Sequence, residues 1–162
     1  MKKIVIIPYD SEWPEKYQRE AAFIEQALGS GCLKIHHIGS TSVPGLNAKP
    51  KIDILVVVQD FKSLNISALE EIGFENRGEI IASGRYFSKR NSIKVNLHVF
   101  EEGNPLIEDN LLFRDWLRTH NADRDAYARL KQELAPQHTD GMEYCRAKTE
   151  FILGIVAKAK NQ

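Results

Sequence analysis

Midway along this chain the spacing of apolar residues changes from the period of strands to that of helices, and this change restricts the fold more than any other feature. Short β-type runs come first: Ile35 to Ile38, Ile52 to Val58, Tyr86 to Ser88 and Ile93 to Phe100, with a short helix ending at Gly73 between the second and third. After Pro105 the period is helical. Leu112, Phe113, Trp116 and Leu117 form one stripe, Tyr127, Leu130 and Leu134 a second, and Tyr144, Phe151, Ile152 and Ile155 a third, which predicts three closing helices. Asp140 with Glu143 reads as a capping box for the last of them. Ahead of the strands, Trp13, Tyr17, Ala21, Ile24 and Leu28 recur at helical spacing, with Asp10 or Ser11 to cap, Pro14 in the opening turn and Gly29-Ser30-Gly31 to stop the helix. The expected fold is α/β (α+β): a mixed sheet with an N-terminal helix and a C-terminal helical layer.

The 162 residues show no internal repeat, low-complexity tract or linker, so a single domain over 1–162 is expected. Lysine plus arginine balances aspartate plus glutamate, 22 against 22, which leaves no global field to draw the chain to nucleic acid or an anionic membrane. No apolar run approaches the roughly 18 residues of a membrane span, and Pro8 stops the opening run from Met1 to Ile7 far short of a signal segment. Cys32 and Cys145 lack metal-ligand spacing and read as free thiols in a reducing compartment. A cytoplasmic, soluble protein is the expectation.

The stretch from His36 to Leu55 carries the chemistry. Gly39 lets backbone approach a ligand closely, and Ser40 and Thr41 supply hydroxyls where a strand gives way to a turn whose free N–H groups attract anions. Asp53 falls near the start of the next strand, a suitable place for a divalent metal ligand. Taken singly, the Gly-Ser pair also fits an ordinary turn or cap, and Asp53 also fits an ion pair with Lys51 or Lys49. Alternation sends His36 and His37 to opposite faces, so they do not share a metal, and His37 is the better site candidate of the two. The segment with Arg77, Arg85, Lys89, Arg90 and Lys94 has an excess of positive charge that suits a polyphosphate, although Lys89, Arg90 and Lys94 fit better a solvated hairpin whose outward cations protect an edge strand.

The string Ile38-Gly39-Ser40-Thr41-Ser42-Val43-Pro44-Gly45-Leu46, with Ala48-Lys49-Pro50 and Ile52-Asp53-Ile54 after it, closely resembles the GrpB family. The resemblance extends to Tyr9-Asp10, Trp13, Gly84-Arg85-Tyr86-Phe87, Leu97-His98-Val99, the run from Phe113 to Arg118, and Tyr144, Lys148 and Phe151-Ile152. It implies a nucleotidyltransferase-like fold, with Gly39-Ser40 matching the superfamily's glycine-serine turn and Asp53 a carboxylate on its following strand. It also implies a domain that can be fused to dephospho-CoA kinase, and hence a nucleotide or a CoA precursor as ligand. On that reading Gly39, Ser40 and Thr41 cradle phosphate, Lys49, Arg85 and Lys148 neutralise it, and Asp53 with His98 holds a divalent metal: magnesium or manganese, with zinc open.

A two-metal transferase needs a carboxylate pair two residues apart on one strand face, and here the same-face neighbours of Asp53 are Lys51 and Leu55. Two readings stay open: in-line nucleotidyl or phosphoryl transfer with Asp53 and His98 as catalytic groups, and a non-catalytic nucleotide- or coenzyme-binding module or partner domain. Arg118 is expected to be structural, and the C-terminal helices to supply any protein or oligomer interface.

Overall fold

The computed structural model describes residues 3–79 and 83–162, so Met1 and Lys2 of the opening run lie outside the described residues. Helix α1, Trp13–Leu28, starts where Asp10 Oδ1 accepts the Glu12 N–H at 2.8 Å and Pro14 occupies the first turn. It buries Trp13, Ala21 and Ile24 and stops at Gly29, whose N–H returns to Glu25 O.

The strands are β1 (Lys34–Ile38), β2 (Lys51–Val58), β3 (Glu75–Gly78), β4 (Gly84–Arg90) and β5 (Lys94–Glu101). They form one mixed sheet of order β1-β2-β5-β4-β3, in which β2 and β5 are parallel and the other pairs antiparallel. A parallel pair needs a crossover, and the chain between β2 and β5 carries α2 (Ile66–Glu71) and the antiparallel pair β3 and β4. Strand β3 was not expected. Its sequence, Glu-Asn-Arg-Gly, is polar on both faces because it is an exposed edge, so alternation gives no signal.

The central pair β2 and β5 divides the side chains of the sheet. Ile52, Ile54, Val56 and Val58 with Val95, Leu97 and Val99 face α1 and α2, where Trp13, Ile24, Leu69 and Phe74 complete the main core. On the other face each strand is polar at its start and apolar at its end: Lys51 and Asp53 precede Leu55 and Val57, and Asn96 and His98 precede Phe100. The apolar half is covered by Leu106, Ile107 and Leu111 of helix α3, Pro105–Thr119. The polar half is left facing a cavity.

The helical layer continues with α4 (Asn121–Leu134), α5 (Gly141–Ala147) and α6 (Thr149–Lys160). The third expected helix is therefore two: at Lys148 the chain makes an i→i+3 bond to Cys145 O, 3.2 Å, which separates Tyr144 from Phe151, Ile152 and Ile155. Asp140 caps α5 by accepting the Met142 N–H at 2.8 Å, while the Glu143 carboxylate lies 3.8 Å from His138 Nδ1, so only half of the capping box is found. No helix among the described residues is long and apolar enough to cross a membrane.

Candidate functional site

The polar half of the sheet, the turn after β1 and the helical layer enclose a cavity of about 470 Å³. Its floor is Asp53 on β2 and His98 on β5. The register pairs Asp53 with Asn96 and Leu55 with His98, which puts both side chains on one face, with His98 Nε2 3.6 Å from Asp53 Oδ1. Asn96 Nδ2 donates to the same oxygen at 3.2 Å, and Lys51 Nζ lies 3.7 Å from Oδ2. Burial would raise the Asp53 carboxyl, but Lys51 and then His98 and Asn96 outweigh it and hold the group well below the usual carboxylate range.

The turn over Asp53 depends on Gly39. Its φ of 75° and ψ of −175° form a combination open to glycine, and a Cβ there would come within 2.8 Å of Asp53 Oδ2. Ser40–Ser42 then make one turn of 3₁₀ helix, with the Ser42 hydroxyl donating to Gly39 O and the Val43 N–H to Ser40 O. Ser40 lines the cavity beside Tyr127, whose phenol is raised by burial and lowered by Ser40. Thr41 also lines the cavity, but its hydroxyl pairs with His37 Nε2 at 3.0 Å on the α1 side of the sheet. His37, the candidate favoured over His36, is thereby placed behind the sheet. It stacks on Tyr17 with centroids 4.7 Å apart, and burial brings its pKa down to about 4.

Cations of the helical layer hold this turn by binding its backbone carbonyls. Arg114 Nη1 donates to His37 O at 3.1 Å, Arg118 Nε to Ser42 O at 2.9 Å, Arg124 Nη1 to Pro44 O at 3.4 Å, and Lys131 Nζ to Asn47 O. Arg118 thus has the structural role expected for it.

Four lysines line the cavity: Lys49, Lys51, Lys131 and Lys148. Lys148 Nζ lies 4.4 Å from the centre of the Tyr144 ring, and Lys131 Nζ 4.9 Å from that of Tyr127. Burial, reinforced by Lys148 and Lys51, brings the pKa of Lys131 down to about 7. Burial also lowers Lys49 and Lys148, and Lys51 lowers both further. Tyr144 also lines the cavity, and its buried hydroxyl has no hydrogen-bond partner among the described residues. Sequence reasoning missed Lys131, Tyr127 and Tyr144 as site residues. The signal was present, since Lys131 follows Tyr127 by one helical turn on an apolar stripe, where a lysine has no reason to be unless its amine meets a partner.

The family model described as GrpB protein matches residues 3–158. The chain belongs to the GrpB family. A UPF0157 protein of Halalkalibacterium halodurans is 41% identical over 96% of this chain and 82% of its own length. The crystal structure of the conserved protein GrpB from Enterococcus faecalis superposes with a TM-score of 0.86 at 36% identity, covering 96% of each chain. A protein named dephospho-CoA kinase, from Mycolicibacterium paratuberculosis, is 27% identical over 84% of this chain and 40% of its own length. The fold is nucleotidyltransferase-like: a cytoplasmic RNA terminal U-transferase matches with a TM-score of 0.50 at 17% identity, over 81% of this chain and 42% of the other.

In this GrpB protein the donor set does not fit the divalent metal that the fold family suggests. Among the described residues no group of three or more His, Cys, Asp or Glu side chains comes together to hold one. Asp53 is the carboxylate on the cavity floor, and an ammonium already stands 3.7 Å from it, where a dication would meet like charge. Lys51 is in the same-face position, two residues before Asp53, that a paired carboxylate would need.

Seven of the eight candidate residues line the cavity: Gly39, Ser40, Thr41, Lys49, Asp53, His98 and Lys148. Arg85 does not, which corrects its assignment to phosphate. It pairs with Val99, so alternation turns it to the α1 side, where its guanidinium lies 4.3 Å from the Phe61 ring centre and 3.6 Å from Glu79 Oε2. Arg85→Ala should accordingly leave the affinity for any cavity ligand within about twofold of wild type in a calorimetric titration; a tenfold loss would restore Arg85 to the site.

Proposed function

We propose that this GrpB protein binds a small phosphorylated molecule, a nucleotide or a CoA precursor, as a free anion in the cavity between sheet and helical layer. The observation that carries this reading is the convergence of four lysines and the Ser40 turn on one cavity whose floor carboxylate is already partnered. In a site that excludes much water such ammonium groups attract phosphate far more strongly than they would at the surface. Asp53 then acts as a positioning residue, aiming Lys51 and His98 into the cavity, and Lys51 supplies the positive charge that a metal gives in related folds. The relative named dephospho-CoA kinase supports a nucleotide or CoA precursor as the phosphate carrier. With a single carboxylate on its floor, and that one already partnered, the chemistry of the site favours binding over nucleotidyl transfer.

Isothermal titration with ATP, CoA and dephospho-CoA, each with and without EDTA, tests this. A dissociation constant unchanged by EDTA supports the reading, whereas binding that requires magnesium or manganese overturns the metal-free part of it. A ligand at a hundredfold excess over its dissociation constant should also stabilise the fold by about 2.7 kcal/mol.

Lys131 adds a pH signature. Its pKa of about 7 in the folded protein lies below the ordinary lysine value, so above that pH its amine is largely neutral. A bound anion favours the ammonium and raises the pKa, so binding takes up protons above about pH 7 and affinity falls as pH rises through that region. Titration in two buffers of different ionisation heat measures the uptake, and Lys131→Met should remove it. For the unliganded fold the sign is opposite: the unfolded chain binds more protons between about pH 7 and the ordinary lysine value, so stability rises with pH across that window.

A further inference from the structure

The cavity is not uniformly polar. Besides Asp53 and His98 its lining includes an apolar stretch, hereafter the channel, where Phe100 meets Leu106 of α3 and Ile152, Leu153 and Val156 of α6. Two polar side chains also border this stretch: Asn110 Nδ2 donates to Leu106 O at 2.8 Å, and Asp109 Oδ1, which makes no hydrogen bond among the described residues, has its charge met by Lys160 Nζ at 3.0 Å. The polar end holds the four lysines and Ser40, with Tyr127 and Tyr144 beside them. The whole cavity, about 470 Å³, falls in the size range of sites for drug-sized ligands and exceeds what one phosphate group needs.

We infer that the ligand of this cavity is an amphiphilic phosphate ester, its phosphate at the lysine end and an apolar chain lying in the channel between α3 and α6. The inference rests on the phosphate reading above and adds the chemistry of the remainder of the ligand. An occupant that reaches both ends must join both characters in one molecule: a bare inorganic anion leaves the channel empty, and an apolar molecule leaves the ammonium groups without a counter-charge. Leu153 supports an open outer end, because it is 60% exposed although it lines the cavity. An exposed leucine beside apolar neighbours gains from a chain laid against it.

The test is calorimetric titration of the intact protein with inorganic diphosphate and with n-alkyl monophosphates from ethyl to octyl. Wild-type affinity should rise about threefold to fourfold for each methylene that enters the channel. Leu153→Asp, at an exposed position that the fold tolerates, should lower the affinity for octyl phosphate at least tenfold while leaving that for ethyl phosphate and diphosphate unchanged. Lys148→Met should weaken all of them by a similar factor. If the anions bind with no dependence on chain length, the channel inference fails and the phosphate reading survives. A chain-length gain that persists undiminished in Leu153→Asp puts the chain elsewhere and overturns the inference as well. If neither diphosphate nor any alkyl phosphate binds, the phosphate reading itself fails.

Discussion

Gly39→Ala is expected to abolish ligand binding and to lower stability by about 1–3 kcal/mol, the cost of holding a side chain in a backbone region that glycine alone adopts freely. The two effects have separate causes. The backbone strain acts on the whole fold, whereas the added Cβ, 2.8 Å from Asp53 Oδ2, drives the carboxylate away from Lys51, Asn96 and His98. Urea unfolding and titration with diphosphate measure them independently. A stable variant with unaltered affinity would show that the close approach of the turn to Asp53 has no part in binding.

A second substitution should exchange one kind of site for another. Lys51→Asp places a second carboxylate on the face of β2 that carries Asp53, recreating the same-face pair that a divalent ion needs and removing the resident ammonium. The variant should bind manganese at least tenfold more tightly than wild type, a change of about 1.4 kcal/mol, as read by the paramagnetic resonance of the free ion. Its metal-free affinity for diphosphate should fall by about thirtyfold, ~2 kcal/mol, because a partly buried charge partner has been lost and replaced by its opposite. Equal manganese affinity in the two proteins would contradict the view that Lys51 stands in place of a metal-binding group.

Much of this arrangement could be read from residue order. The N-terminal helix, four of the five strands and the helical layer follow from apolar spacing and turn residues, and parity alone puts Asp53 and His98 on one face once their strands are neighbours. What resisted reading depends on tertiary contact. The β3 edge has no buried face to leave a pattern, and the break at Lys148 sits inside an apolar stripe that runs on across it. Arg85 stands out because it belongs to the family-like Gly84-Arg85-Tyr86-Phe87 motif, but a motif does not say which face of a strand a side chain takes, and a single residue of parity puts it on the opposite side of the sheet. The place of Lys131 on an apolar stripe signals that its amine meets a partner, but not which one, since the carbonyl it meets lies 84 residues earlier.

The carbonyl clamps on the turn also bear on how the protein acquires its site. They join residues 77, 76, 80 and 84 positions apart, while the sheet beneath them pairs β1 with β2 across the connection 39–50 alone. Contacts this distant in sequence are entropically late, since a long loop must close before any of them forms. The sheet can therefore assemble while the Gly39–Asn47 segment is still unshaped, and α3 and α4 fix it only when they dock. On a ribosome the anion pocket would come into being after Lys131 has emerged, well after the strands that bear Asp53 and His98. Ligand recognition is thus a reporter of completed folding, and a phosphate-bearing ligand added during refolding should accelerate no step that precedes docking of the helices.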